Sequence, residues 1–246
     1  MQNFFPLFKL EIKRKAKDFF IIFYSIVFPV VIIFLLGYLT SRSYGSEFTS
    51  YEYYSIVMTP FCLFMGITSV AYASVDEKRM KTSYRYMIAP LSKSSLILSK
   101  FLSCVITLTV CSIIVLIISK FCFHLPINGN AVYLIALLLC ESVAITGLGL
   151  FFGLANKNFA TIQNYLNLPI MIFGFLGGVF FPVSSLNSIL SFIINLSPLT
   201  WINRGIMYCI YMSDITILCW TGSILFAVGL LFSILTIKCF KKEAFI

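Results

Sequence analysis

The chain has 246 residues, of which 60% are hydrophobic and 11% charged, with a formal net charge of +9 and a mean hydropathy of +0.98. A soluble domain of this size cannot bury that much apolar side chain, so the surplus must face lipid. The 17% aromatic content excludes a disordered chain, and the basic residues sit in short patches beside apolar runs, which excludes a free nucleic-acid-binding arm and points to anionic head groups instead.

Residues 1–18 read as an amphipathic helix in the membrane interface. Phe5, Phe8, Ile12, Ala16 and Phe19 recur at steps of three and four, and Lys9, Glu11, Lys13, Arg14, Lys15 and Lys17 fill the other faces. Residues 19–40 form the first predicted span, with a kink expected at Pro29; lacking a small-residue cleavage site, it is expected to stay as an anchor. Residues 53–75 form the second, with Pro60 and Gly66 inside and Tyr51, Tyr53 and Tyr54 as interfacial anchors at its start. Residues 76–95 are the one long charged interruption. The third span covers 96–119, with Lys100 expected to snorkel back to the interface.

The fourth span covers 131–155 and the fifth 162–181. The fifth is interrupted by Asn164, Asn167 and Pro169 and enriched in close-packing glycines, Gly174, Gly177 and Gly178. Residues 182–215 are broken by Pro182, Asn187, Asn195, Pro198 and Gly205, and read as two short re-entrant or interfacial helices. The sixth span covers 216–237. With the N-terminus inside, Lys9, Lys13, Arg14, Lys15, Lys17, Lys78, Arg79, Lys81, Arg85, Lys93, Lys100, Lys157, Lys238, Lys241 and Lys242 fall on the cytoplasmic side, leaving only Arg42, Lys120 and Arg204 outside. The positive-inside rule then sets both termini in the cytoplasm and makes this a multi-pass protein of the cell membrane.

Catalytic chemistry finds little support. There is no G-x-x-x-x-G-K-[ST] and no G-x-S-x-G, and His124 is the only histidine. The eight cysteines form no C-x-x-C pair and read as small apolar packing residues, so no metal site is expected. Glu141 is the one acid deep in a span. At that depth it should face the bundle interior or a wet cavity, either as a substrate or proton contact or as a structural hydrogen-bond partner of Asn164, Asn167 or Thr146.

The charged stretch has a pattern of its own. Met80, Tyr84, Met87, Ile88 and Leu91 share one helical face, Lys78, Arg79, Lys81 and Arg85 lie elsewhere, Pro90 ends the helix, and Ser92 or Ser94 can cap the next. A plain basic loop needs no apolar stripe with a proline stop. This DEKR start, helix and APLSKSSLILSK turn, together with GGVFFPVSSLNSILSFIINLSPLTWINRGI after the fifth span and an amphipathic leader, resembles the ABC type-2 exporter permease family, of the multidrug or daunorubicin-exporter kind. The resemblance covers essentially the whole chain. It departs at Lys81-Thr82, where the family often has Gly-Thr, and near Asn187, where a second proline is common.

The resemblance implies an all-α integral membrane fold: one transmembrane domain over residues 1–246 with six spans, an N-terminal elbow helix, a cytoplasmic coupling helix between the second and third spans, and short re-entrant helices between the fifth and sixth. It implies a permease, not an enzyme. The chain would form a homodimer or pair with a similar permease, and work with a separate ABC ATP-binding subunit that carries the ATP and magnesium. Met80, Tyr84, Met87 and Ile88 would make the apolar docking contact and Asp76, Glu77, Lys78 and Arg79 the polar ones. The expected cargo is hydrophobic or amphipathic: a drug, a bacteriocin-like peptide or a lipid. Alternatives are a polysaccharide or teichoic-acid-type exporter permease, an intramembrane enzyme, or an immunity factor. The separate-subunit design points to a bacterial source.

Overall fold

The structure, a computed structural model, describes residues 4–44, 48–79, 92–127, 129–155, 159–180 and 188–239. These form the helices α1 (Phe4–Ala16), α2 (Phe19–Ile22), α3 (Phe28–Leu39), α4 (Ser50–Arg79), α5 (Lys93–Cys122), α6 (Ala131–Ala155), α7 (Phe159–Leu176), α8 (Ser188–Asn195), α9 (Pro198–Met207) and α10 (Thr216–Cys239), with no strand among the described residues. Four of them contain stretches long and apolar enough to cross a membrane: Ser50–Ser74, Ser94–Cys122, Ala131–Leu154 and Thr216–Cys239. Phe23–Leu39 and Asn164–Leu176 are shorter apolar helices. The molecule is therefore an all-α, multi-pass membrane protein.

Pro29 does not break the first rod. A π-helical turn, Phe23–Val27, joins α2 to α3, and the Phe28 N–H donates to the Phe23 carbonyl. The wider turn accommodates a ring that would otherwise crowd the preceding turn of a regular helix. The helix containing the second span also differs from its expected bounds. It runs on to Arg79, because Asp76 to Arg79 include good helix formers and nothing there stops a helix leaving the membrane. Ser92 then caps α5, its side chain accepting from the Ser95 N–H at 3.2 Å.

The core is a layer in which α6 lies between α4 and α10. Close approach makes this possible. A Cβ on Gly147 would come within 2.5 Å of the Gly229 carbonyl oxygen, so α6 and α10 meet backbone to backbone. α6 and α4 run parallel and in register: Leu134 and Leu138 line one small cavity with Ser55 and Thr59, Ile145 faces Gly66, and Gly149 faces Val70. α5 closes one side of this layer, α7 packs on α4, and the short α9 wedges against α4, α7 and α10. α9 buries Leu199, Ile202 and Ile206 in the main core.

The fifth predicted span ends earlier than its composition indicates. α7 stops at Leu176 because Gly178 takes the left-handed conformation (φ 74°), while the Val179 and Gly178 amides close back on the Gly174 and Phe175 carbonyls. The eight cysteines are unpaired. Cys62, Cys104, Cys111 and Cys209 are buried packing residues, whereas Cys122, Cys219 and Cys239 are exposed.

Candidate functional site

The coupling stretch lies mostly outside the described residues. Met80, Tyr84, Met87 and Ile88 fall there entirely. Asp76, Glu77, Lys78 and Arg79 belong to the last turn of α4, and only their backbone is described.

Beside this stretch, α1 packs along the start of α5. The face α1 buries is not purely apolar: Glu11 and Lys15 are buried while Phe5 and Phe19 are exposed. Lys15 Nζ donates to Ser103 Oγ at 2.8 Å and to the Lys100 carbonyl at 3.4 Å, and also meets Cys104 Sγ. Lys100 does not snorkel to the interface. It is 3% exposed, because α1 lies over it. The Glu11 charge acts on Lys100 against those of Lys15 and Arg14, so the acid that looked incidental in a basic leader becomes the local counter-charge.

Deeper in the bundle, Glu141 sits between Leu138 and Ile145 on the α6 face turned to α4, and the helix register places it level with Cys62. It is fully buried, and neither carboxyl oxygen has a hydrogen-bond partner among the described residues. Ser142, next in sequence, shares a 2.8 Å hydrogen bond with Thr109 of α5. Thr146 Oγ1 and Ser55 Oγ are likewise buried without partners among the described residues. The expected bonds to Asn164, Asn167 or Thr146 do not form. Asn164 is exposed and Asn167 half-buried on α7, which packs on α4 and barely touches α6, so the structure does not gather the three residues into one site.

A polar cluster that the sequence did not reveal lies at the C-terminal end of α7. Tyr53 OH donates to the Gly178 carbonyl at 2.6 Å and Tyr54 OH to that of Phe180 at 3.2 Å. Ser197 Oγ donates to the Phe173 carbonyl, Thr200 Oγ1 to those of Leu176 and Ile194, and Asn203 Nδ2 to that of Gly177 at 2.8 Å. Five carbonyls at the end of α7 thereby receive side-chain donors from α4, α9 and the residue before α9, that of Phe173 in addition to the Gly177 amide. Tyr53 and Tyr54 are buried caps rather than interfacial anchors. The only sequence signal was the coincidence of a glycine-rich helix end with a following S-P-L-T-W-I-N segment.

Two carboxylates finish this end of the bundle. Tyr211 OH donates to Glu52 Oε2 at 3.0 Å; burial first, and then this bond, push the phenol above its ordinary range. Asp214 Oδ1 accepts from the Thr216 N–H at 2.9 Å, and that bond holds the exposed carboxyl below the usual aspartate value.

Between α4, α6 and α7 opens a groove of about 410 Å³, walled by residues such as Phe64, Ile67, Phe152, Tyr165, Ile170 and Phe173. Among the described residues, the Tyr165 hydroxyl is the only polar side-chain group in its lining. Such a cavity can take up an apolar molecule and can offer it almost no hydrogen bonds. Among the described residues no group of three or more His, Cys, Asp or Glu side chains could hold a metal ion.

A bundle of long apolar helices with a glycine-broken span, two short helices after it and a basic amphipathic leader defines the class: the membrane domain of a transporter. The family model for "ABC-2 type transporter" matches residues 2–211, and the chain belongs to that family. It is thus a transport permease component, of a family that works with an ABC ATP-binding subunit. No curated protein matches the chain.

Proposed function

We propose that this chain is the permease half of an ATP-driven exporter that moves hydrophobic or amphipathic molecules, such as a drug, a bacteriocin-like peptide or a lipid, across a bacterial cytoplasmic membrane. The observation that carries this is the apolar, aromatic groove between α4, α6 and α7. A sugar chain needs hydrogen bonds along its path, and this groove offers one hydroxyl.

Residues 1–246 form a single transmembrane domain with six crossings and both termini in the cytoplasm. The helical rod from residue 19 to residue 39 supports the first crossing, since 21 residues at about 1.5 Å each reach ~31 Å, the thickness of a bilayer core. α7 makes the fifth crossing, with residues 182–215 returning into the outer leaflet. The chain dimerises, with itself or with a similar permease.

The engine is a separate ATP-binding subunit, which carries the ATP and magnesium. It docks on residues 76–95, with Met80, Tyr84, Met87 and Ile88 as the apolar contact and Asp76, Glu77, Lys78 and Arg79 as the polar one. α1, held against α5 through Lys15, moves with that contact. Asn164 and Asn167 flank the groove residues Tyr165 and Leu166 and offer polar contacts at its rim. Glu141 serves as the intramembrane polar contact for cargo or proton.

The test is reconstitution of the full chain with the ATP-binding cassette protein that co-purifies with it. Hydrophobic dyes or peptides are expected to stimulate ATP hydrolysis, and Tyr84→Asp to uncouple hydrolysis from transport while the chain still inserts. Stimulation by a lipid-linked polysaccharide alone would overturn the cargo class, and full coupling in Tyr84→Asp would overturn the docking contact.

A further inference from the structure

A second groove, of about 480 Å³, lies between the short helices, α8 and α9, and α10. Its walls include Trp201, Trp220, Leu196, Pro198, Ile224 and Leu225, and they face outward: Trp220 is 70% and Leu196 67% exposed. α10 is also the least enclosed of the four long helices. Arg204 stands at the rim, half-buried. Its guanidinium carbon lies 5.9 Å from the Trp201 ring centre, and one nitrogen donates to Asn195 Oδ1 at 2.7 Å. Trp201 Nε1 donates to the Asn195 carbonyl at 2.8 Å. One asparagine therefore fixes both the indole and the cation at the mouth of the groove.

A guanidinium carries a permanent charge and five N–H donors in a fork that matches phosphate oxygens. Among the described residues, the Asn195 side chain is the only hydrogen-bond partner of the Arg204 guanidinium, and no carboxylate pairs with it. A cation with spare donors, at the edge of a lipid-facing apolar channel flanked by two tryptophans, needs an anion with an apolar tail. We propose that this groove binds one anionic phospholipid, with an acyl chain between Trp201 and Trp220 and its phosphate on Arg204. A second copy of this chain is less suited to cover it. Of the acids on the same predicted side, Glu52 already accepts from Tyr211 and Asp214 from the Thr216 amide, which leaves Glu47. The site is independent of what the chain transports.

The chain holds only two tryptophans, and both line this groove, so their fluorescence reports on it directly. The experiment reconstitutes the full chain in bilayers containing either acyl-brominated phosphatidylglycerol or acyl-brominated phosphatidylcholine, and measures tryptophan quenching. The expected result is a preference of about fivefold for phosphatidylglycerol that weakens as salt is raised, from a single cation near the membrane surface. Arg204→Gln is expected to abolish the preference and Arg204→Lys to keep part of it, while Trp220→Phe leaves Trp201 quenched. Equal quenching by the two lipids, or a preference that survives Arg204→Gln or high salt, would overturn the proposal. So would absence of quenching by either lipid, accompanied by disulfide-linked dimers of Trp220→Cys, which would give the groove to a second copy. Should Arg204→Gln fail to insert, the salt dependence of the unaltered chain and the Arg204→Lys measurement still decide.

Discussion

The C-terminal end of α7 and the middle of α6 treat buried polarity in opposite ways. At the end of α7, the carbonyls of Phe173, Leu176, Gly177, Gly178 and Phe180 each receive a side-chain donor. In the middle of α6, Glu141 has two carboxyl oxygens and no hydrogen-bond partner among the described residues. A helix end inside a bundle costs several kilocalories per mole unless its carbonyls are satisfied, so the first region is what the fold needs to stop a helix there. The second region contributes nothing to the fold that an apolar side chain would not. The difference is one of satisfaction: Tyr53, Ser197, Thr200 and Asn203 meet the needs of a helix end, whereas the Glu141 carboxyl meets no hydrogen-bond partner among the described residues.

This contrast can be broken by substitution. The largest effect is expected from Tyr53→Phe combined with Asn203→Leu, which leaves the Gly178 and Gly177 carbonyls buried without their side-chain donors; about 2–5 kcal/mol should be lost, read as a fall in thermal unfolding temperature in detergent. A loss under about 1 kcal/mol would mean that the helix end finds other donors. Next comes Glu11→Gln, which removes from the buried face of α1 the acid whose charge acts on Lys100. A cost of roughly 2–4 kcal/mol is expected, with α1 becoming accessible to protease.

Glu141→Leu should do the reverse of the α7 changes, leaving stability unchanged or raising it by about 1–2 kcal/mol, because an unpartnered carboxyl is exchanged for an apolar side chain of similar size. Glu141→Gln, at unaltered expression, is expected to lower ATP-driven transport. Full transport by that variant would return Glu141 to a passive role. The smallest effect belongs to Asp214. Its folded value is lowered, so the stability it lends to the start of α10 is present above the ordinary aspartate value of 3.8 and is lost as pH falls through the lowered one. Hydrogen exchange at the Thr216 amide should speed up in that window, and Asp214→Ala should show the faster rate at every pH.

Much of the architecture was legible in the chain because it depends on local composition. Apolar runs and the S-P-L-T segment placed the long helices and the two short helices before the last of them. The Ser92 cap was legible for the same reason. What escaped were contacts between distant residues. Tyr53 and Tyr54 looked like interfacial tyrosines because an aromatic at a span's end usually is one, and nothing near them in sequence announces the Gly178 and Phe180 carbonyls. Lys100 looked free to snorkel because its own helix leaves room for it; it is covered by α1, some 85 residues earlier. The close-packing glycines were sought in the fifth span, whereas the tightest backbone approach joins Gly147 to Gly229.

The sequence by itself determined that this is a membrane chain of ABC-2 type, since partition into lipid is a sum over residues and the family pattern is an order of short motifs. The tertiary structure alone decided which polar groups are satisfied. Whether Glu141 stands without a partner among the described residues while Tyr53 holds a carbonyl 125 residues away depends on which helices meet at which depth, and that is fixed by packing between distant parts of the chain rather than by any neighbourhood along it.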